Sequence, residues 1–208
     1  MNRIVILGTG HATVTRCYNT CFVLQTDTTT LLVDAGGGNG ILQRLEQAGI
    51  AIKDLHHMYV THAHTDHILG TIWVIRMVLS AAGYEGRFHV YSHAKVLRVI
   101  SMICGETLSA KHRRLMGERV VMHEVGDGTG VNVGDIGMQS FDIHSKKEPQ
   151  YGFRATLPGG AVVVCLGDEP YKPLCRSYAE GTDWLMSEAL CLYAERDRHY
   201  PYAKSHST

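Results

Sequence analysis

The stretch Tyr59-Val60-Thr61-His62-Ala63-His64-Thr65-Asp66-His67-Ile68-Leu69-Gly70 decides how the rest of the chain is read. Three imidazoles and one carboxylate fall within the six positions His62 to His67, at the seam between an apolar run ending at Val60 and a helix-like run from Ile68 to Leu79. Ahead of that helix the backbone is near-extended and side chains repeat every two residues, so His62 and His64 project the same way and can share one metal ion. Asp66 and His67 fall at the helix start, where two adjacent residues can face a second ion. Thirteen histidines in 208 residues make chance neighbours common. This cluster, however, follows a buried-strand pattern and precedes an amphipathic helix, which is the context a metal site needs.

A chain of 208 residues suits a single domain, 1–208, and is long enough to bury a sizeable core. Lys plus Arg and Asp plus Glu each number 20, so a formal net charge of zero offers no general pull toward polyanions. The local basic runs Lys111 to Arg114 and Lys146-Lys147 read as solvated faces. Met1 to Leu7 carries one basic residue and a very short apolar run, a first strand rather than a signal peptide, and no apolar run reaches the length of a membrane span. A cytoplasmic protein is expected, with its six cysteines as reduced thiols. Cys17 and Cys21 could supply half a structural zinc site, but no second pair accompanies them.

Along the chain, Ile4 to Leu7, Cys21 to Gln25 and Thr30 to Val33 read as strands, each stopped by Gly, Asn or Asp. The run Asp34 to Gly40 opens a helix over Ile41 to Ala48; its bare backbone is either a tight connection or a cradle for an anion. Ile68 to Leu79 is helical in spacing, and Ile68, Leu69, Ile72, Trp73, Ile75 and Leu79 are core by default. Phe88 to Tyr91 is a further strand and Ala94 to Cys104 a helix; His93 between them could line the pocket, but is expected at the surface. After the charged segment Lys111 to Met116, the run Val120 to Val125, a Gly/Asp-rich turn, and Met138 to His144 follow. The buried run Ala161 to Leu166 delivers Gly167-Asp168-Glu169 at its end, where a carboxylate can reach a site at a sheet edge.

The motif H-x-H-x-D-H in this setting resembles the metallo-β-lactamase superfamily of metal-dependent hydrolases, and within it ribonuclease Z and its phosphodiesterase relatives. The likeness rests on Leu7-Gly8-Thr9-Gly10, Asn19-Thr20, Asp34-Ala35-Gly36, the His62 to His67 cluster, His144 with Tyr151-Gly152-Phe153, Gly167-Asp168, Ser187-Glu188-Ala189 and His206-Ser207-Thr208. It implies an α+β fold, the four-layer αββα sandwich, with the family's last helix and strand missing after Thr208. It implies two divalent ions, zinc first with manganese or iron as alternatives. His62, His64 and His144 would hold one ion, Asp66 and His67 the other, and Asp168 would bridge them. A metal-bound hydroxide would be the nucleophile, Asp66 its general base, and Glu188 with His206 the dyad that protonates the leaving oxygen.

The departures bear on substrate. Between His144 and Asp168 there is room only for a loop and two strands, not for the arm with which ribonuclease Z grips tRNA; with zero net charge, this argues against tRNA. Ser187 stands where the resemblance has a histidine, and the last metal ligand of the family lies beyond Thr208, so a natural chain longer than this one is expected, with water or the neighbouring subunit of a homodimer in that place as the alternative. A phosphodiesterase acting on a small or cyclic phosphodiester or a short RNA end is the expected activity. Alternatives are a tRNA 3′-processing endoribonuclease, an ester, thioester or lactam hydrolase, and a metal-binding protein without turnover.

Overall fold

In the computed structural model, residues 1–189 and 191–198 are described. Their contacts gather into two compact units, one of Met1–Val125 with Val133–Asp135, the other of Gly126–Asn132 with the chain from Ile136 onward.

The first unit carries a six-stranded sheet in the order β1 (Arg3–Gly8), β2 (Cys21–Gln25), β3 (Thr30–Val33), β4 (His57–Tyr59), β5 (Phe88–Ser92) and β6 (Val120–Glu124). β1, β2 and β3 are antiparallel neighbours, and β3 to β6 run parallel. Each parallel step needs a crossover, supplied by α1 (Gly40–Gln47), α2 (Thr65–Ser80) and α3 (Ala94–Thr107), the last followed by the short α4 (Ala110–Arg114). Right-handed crossovers that all step the same way along a sheet deposit their helices on one face. The buried cluster fits that rule: Leu32, Met58, Val60, Val90 and Val120 of the sheet meet Ile41, Leu45, Val74, Ile75, Val78, Val96 and Ile100 of the helices. Each such side chain contributes about 1.5–3 kcal/mol relative to exposure.

The second unit carries a five-stranded sheet in the order β11 (Trp184–Met186), β10 (Val162–Cys165), β9 (Tyr151–Thr156), β8 (Ile136–Asp142) and β7 (Gly130–Val133). Phe141, Ile143, Val164, Leu166 and Cys175 form its core, with Tyr178 of α5 (Arg176–Ala179) stacked on Phe141 at 4.0 Å between ring centroids.

β2 and β3 run as expected, whereas other boundaries move. α2 begins at Thr65, one turn before the apolar run, with His64 as its N-cap. The charged segment is partly helical, because the Ser109 hydroxyl accepts from the His112 N–H and caps α4. β8 ends at Asp142 rather than His144, whose backbone turns to φ +52°. β7 lies inside the expected Gly/Asp-rich turn; it is an edge strand whose sequence, Gly130-Val131-Asn132-Val133, has no apolar run to announce it.

α2 is seated directly on the loop that leaves β3. The Gly70 N–H donates to the Gly36 carbonyl at 2.8 Å, and the Ala35 N–H to the His67 carbonyl at 3.0 Å. A Cβ on Gly70 would lie 1.8 Å from the Ala35 carbonyl oxygen, a backbone atom that cannot swing away. Gly70→Ala should therefore lower the denaturant midpoint by an amount equivalent to roughly 1–3 kcal/mol of overpacking; an unchanged midpoint would contradict this docking.

The opposite face of β4 and β5 is histidine-rich. Burial, reinforced by His89, His56 and His123, holds the His57 pKa down from 6.5 to about 4. Between those values the unfolded chain takes up a proton that the folded chain refuses, so stability falls as pH drops through that window and levels off near 4. His57 is only half-buried, and solvent screening leaves about 1–2 kcal/mol of the effect. Melting of metal-free protein between pH 7 and 4 should show this loss, and His57→Leu should flatten it.

Candidate metal centre

The carboxyl ends of the parallel strands of the first unit carry Asp34 after β3, Thr61-His62 after β4 and His93 after β5. In open α/β sheets this is the edge where ligands bind. Asp34 is 4 % exposed and sits at φ +54°, a backbone turn that an Asp side chain tolerates better than most. Its carboxylate accepts three hydrogen bonds. Oδ1 accepts from the Thr61 N–H at 2.8 Å; Oδ2 accepts from the Thr61 hydroxyl at 2.8 Å and pairs with His67 Nδ1 at 2.8 Å.

This network sets the tautomers. A hydroxyl has one proton, and Thr61 gives its proton to Asp34. Its oxygen, 2.9 Å from His62 Nδ1, must then accept from that nitrogen, which leaves the lone pair of His62 on Nε2. His67 likewise gives its Nδ1 proton to Asp34 and keeps its lone pair on Nε2. His62 Nε2 lies 3.0 Å from His64 Nδ1, and His67 Nε2 lies 3.5 Å from an Asp66 carboxylate oxygen. The His62 ring centroid is 4.6 Å from that of His64 and 4.2 Å from that of His67. Burial above all, then the neighbouring His67, His64 and His93, pushes the His62 pKa far down, so His62 is a free base. Two donor pairs thus form, His62 Nε2 with His64 Nδ1 and His67 Nε2 with an Asp66 oxygen, each ring of His62 and His67 held from behind by an acceptor. That is a donor set suited to divalent metals, with the outer hydrogen bonds that ligating histidines use.

The loop after β3 is a tight connection. The Tyr18 hydroxyl shares its one proton between the Ala35 and Gly38 carbonyls, at 2.8 and 2.7 Å, and Asn19 Oδ1 accepts from the Gly37 N–H at 3.1 Å. Gly36, at φ +68°, passes so close to the Tyr18 ring that a Cβ would meet it at 2.4 Å. His93, expected at the surface, is 6 % exposed and N-terminal to α3, where it acts on His62.

In the second unit the His144 ring is exposed, with Nδ1 3.5 Å from Asp142 Oδ2, and the His144 backbone N–H donates to Asp142 Oδ1 at 2.7 Å. Asp168 follows β10, and its N–H donates to Gln150 Oε1 at 3.1 Å. A clamp joins the two loops: Glu169 accepts from the Ser145 hydroxyl at 2.7 Å and pairs with Lys172 at 3.0 Å, while Lys172 Nζ donates to the Ile143 and His144 carbonyls. Burial pushes the Glu169 carboxyl up, but the Ser145 and Lys172 hydrogen bonds outweigh it and hold the group below its ordinary value. Glu188 lies two residues past β11 and is half-buried; His206 lies outside the described residues. Asp34, Thr61 and the Glu169 clamp are the residues that sequence reasoning passed over. The one signal for Asp34 was its place at a strand end beside Ala35-Gly36.

Over residues 2–170 the chain matches the family model described as Anti-Pycsar protein Apyc1. A ribonuclease Z of Mycolicibacterium gilvum is 27% identical over 187 residues, covering 84% of this chain and 64% of the relative. A ribonuclease Z of Aeropyrum pernix is 30% identical over 141 residues, 67% of this chain and 42% of its own. That of Streptomyces avermitilis is 37% identical over 79 residues, 38% of this chain and 26% of its own. The chain thus spans from about a quarter to just under two thirds of the length of these curated relatives. Among solved structures, human tRNase Z, short form, superposes with a TM-score of 0.79 at 17% identity, over 100% of this chain and 84% of that one. The metallo-β-lactamase fold protein YhfI of Bacillus subtilis gives 0.72 at 19% identity, over 91% and 72%. These likenesses establish the metallo-β-lactamase fold. With its family match covering well over half its length, the chain belongs to the Anti-Pycsar protein Apyc1 family and carries the metallo-β-lactamase fold.

Proposed function

We propose that residues 1–208 act as one dinuclear metal-dependent hydrolase domain, a phosphodiesterase acting on a small or cyclic phosphodiester. The carrying observation is the two neighbouring donor pairs, His62 Nε2 with His64 Nδ1 and His67 Nε2 with Asp66, with the rings of His62 and His67 held by Thr61 and Asp34. When bound, divalent ions, zinc first, would polarise the phosphoryl oxygens and lower the pKa of a bound water. On this reading His62, His64 and His144 hold one ion, Asp66 and His67 the other, and Asp168 bridges them. Asp66, whose carboxylate faces the cluster, orients the attacking water and takes its proton. Asp34 keeps the His67 lone pair on the ligating nitrogen. Glu188 and His206 form the dyad that supplies the proton to the departing oxygen. The six cysteines are all free thiols, which supports a reducing compartment such as the cytoplasm. No helix of the described residues is long and apolar enough to cross a membrane.

The names of the curated relatives favour a second reading, cleavage of RNA, with precursor tRNA as the substrate to try. Zero net charge weighs against it, since cationic side chains supply most affinity for such a polyanion. Robust 3′ cleavage of precursor tRNA would reverse this ranking.

Hydrolysis of bis-p-nitrophenyl phosphate with added zinc or manganese tests the main reading. Chelator should abolish turnover, and Asp66→Ala should lower it by about 10²–10⁴-fold. His206→Ala should spare this substrate, whose phenolate leaves without a proton, yet slow a cyclic phosphodiester with an alkoxide leaving group. Equal rates of the parent and both variants on both substrates would refute the roles assigned.

Asp34→Asn fits the same φ but brings an amide toward donors. Zinc affinity, measured against a competing chelator, should fall about 10–100-fold with the fold retained.

A further inference from the structure

A second group of imidazoles lies in the first unit, away from the strand ends. Register across the parallel strands sets His57 opposite His89, and Tyr91 opposite His123. Side chains alternate, and the intervening Met58, Val90 and Met122 pack with the helix-covered core. The histidines therefore share the other face. The His57 and His89 rings stack at 5.4 Å between centroids, and those of His89 and His123 meet tilted at 5.0 Å. His89 Nδ1 is 2.8 Å from His123 Nε2. Tyr91 stacks on His123 at 4.7 Å and 17°, which fixes the plane of that ring. His57 Nδ1 is buried without a hydrogen-bond partner.

We propose that His89 and His123, with His57 as a third imidazole beside them, form a second transition-metal site that takes an imidazole-seeking divalent ion such as Cu²⁺, Ni²⁺ or Zn²⁺. Two nitrogens bound to one tetrahedral zinc stand about 3.3 Å apart, given bonds of about 2.0–2.1 Å. The observed 2.8 Å needs only a small ring rotation to reach that spacing. Imidazole suits these metals without help from a carboxylate. Burial keeps all three histidines below their ordinary pKa, reinforced at His57 and His89 by neighbouring imidazoles, so their lone pairs are free at neutral pH. The fixed cation acting on His89 is Arg87, which is exposed, so water screens it. The group is separate from the first cluster: His62 is five residues beyond His57, on the order of 16 Å along an extended chain.

The test uses a His62→Ala/His64→Ala/His67→Ala variant, silenced at both ions of the first cluster, stripped with chelator and dialysed against Cu²⁺. Elemental analysis should find about one copper per chain, and electron paramagnetic resonance should show nitrogen splitting. Adding His123→Phe, or His123→Gln as a milder change, should remove that ion or weaken it at least about tenfold; adding His89→Gln should do the same. Adding His11→Ala should leave it in place, because His11 is exposed and outside the group. Far-UV circular dichroism confirms the fold of each variant. An unchanged copper count without His89 and His123, or no copper on the silenced parent, overturns the proposal. Because the count is read on a chain lacking the first cluster, its outcome and that of the hydrolysis assays are independent.

Discussion

The Asp34 carboxylate and its three donors are the constraint on which the metal centre depends. A carboxylate this deeply buried is expensive unless its oxygens are satisfied, and charge-assisted bonds from an amide, a hydroxyl and an imidazole do so. Those bonds tie together a strand end, the second residue after the next strand, and the first turn of α2. The backbone repeats the tie, with Ala35 bonded to the His67 carbonyl and Gly36 to the Gly70 N–H. Ligand geometry is therefore a by-product of packing: the helix that buries Val74, Ile75 and Val78 brings Asp66 and His67 to their places.

Much of this was legible in the order of residues. The period-two spacing of His62 and His64 and the change to a helical pattern after His67 pointed to the candidate ligands and to the local structure, because side-chain spacing and backbone geometry are short-range properties. The network around Asp34 was not legible. It joins residues 27 and 33 positions apart, and nothing in the spacing of Asp34, Thr61 and His67 says that β3 and β4 pair in parallel at the register that unites them. His93 was misjudged for a related reason. A histidine at a strand-to-helix turn looks exposed until the parallel sheet closes around it. β7 escaped notice because an edge strand can do without a continuous apolar run.

The second unit follows the same economy with different groups. Its loops after β8 and β10 are joined by Ser145, Glu169 and Lys172, so the segments that bear His144 and Asp168 are held by a hydroxyl, a carboxylate and an ammonium rather than by apolar packing. Gln150, 1 % exposed, adds a bond to the Asp168 amide. The family match runs to residue 170, past Asp168 and Glu169, so both loops lie within it.

The pairing of Val33 with Tyr59 places Asp34 beside Thr61. Were β3 to slide by a single residue, the carboxylate would travel about 3.3 Å and emerge on the wrong side of the pleat. Neither the amide, the hydroxyl nor the imidazole could then be reached, and a charge would be left stranded in the interior. A mispaired sheet is thereby penalised at the very spot where the ligands gather, so the group that readies this protein for its metal also proofreads the alignment of its strands.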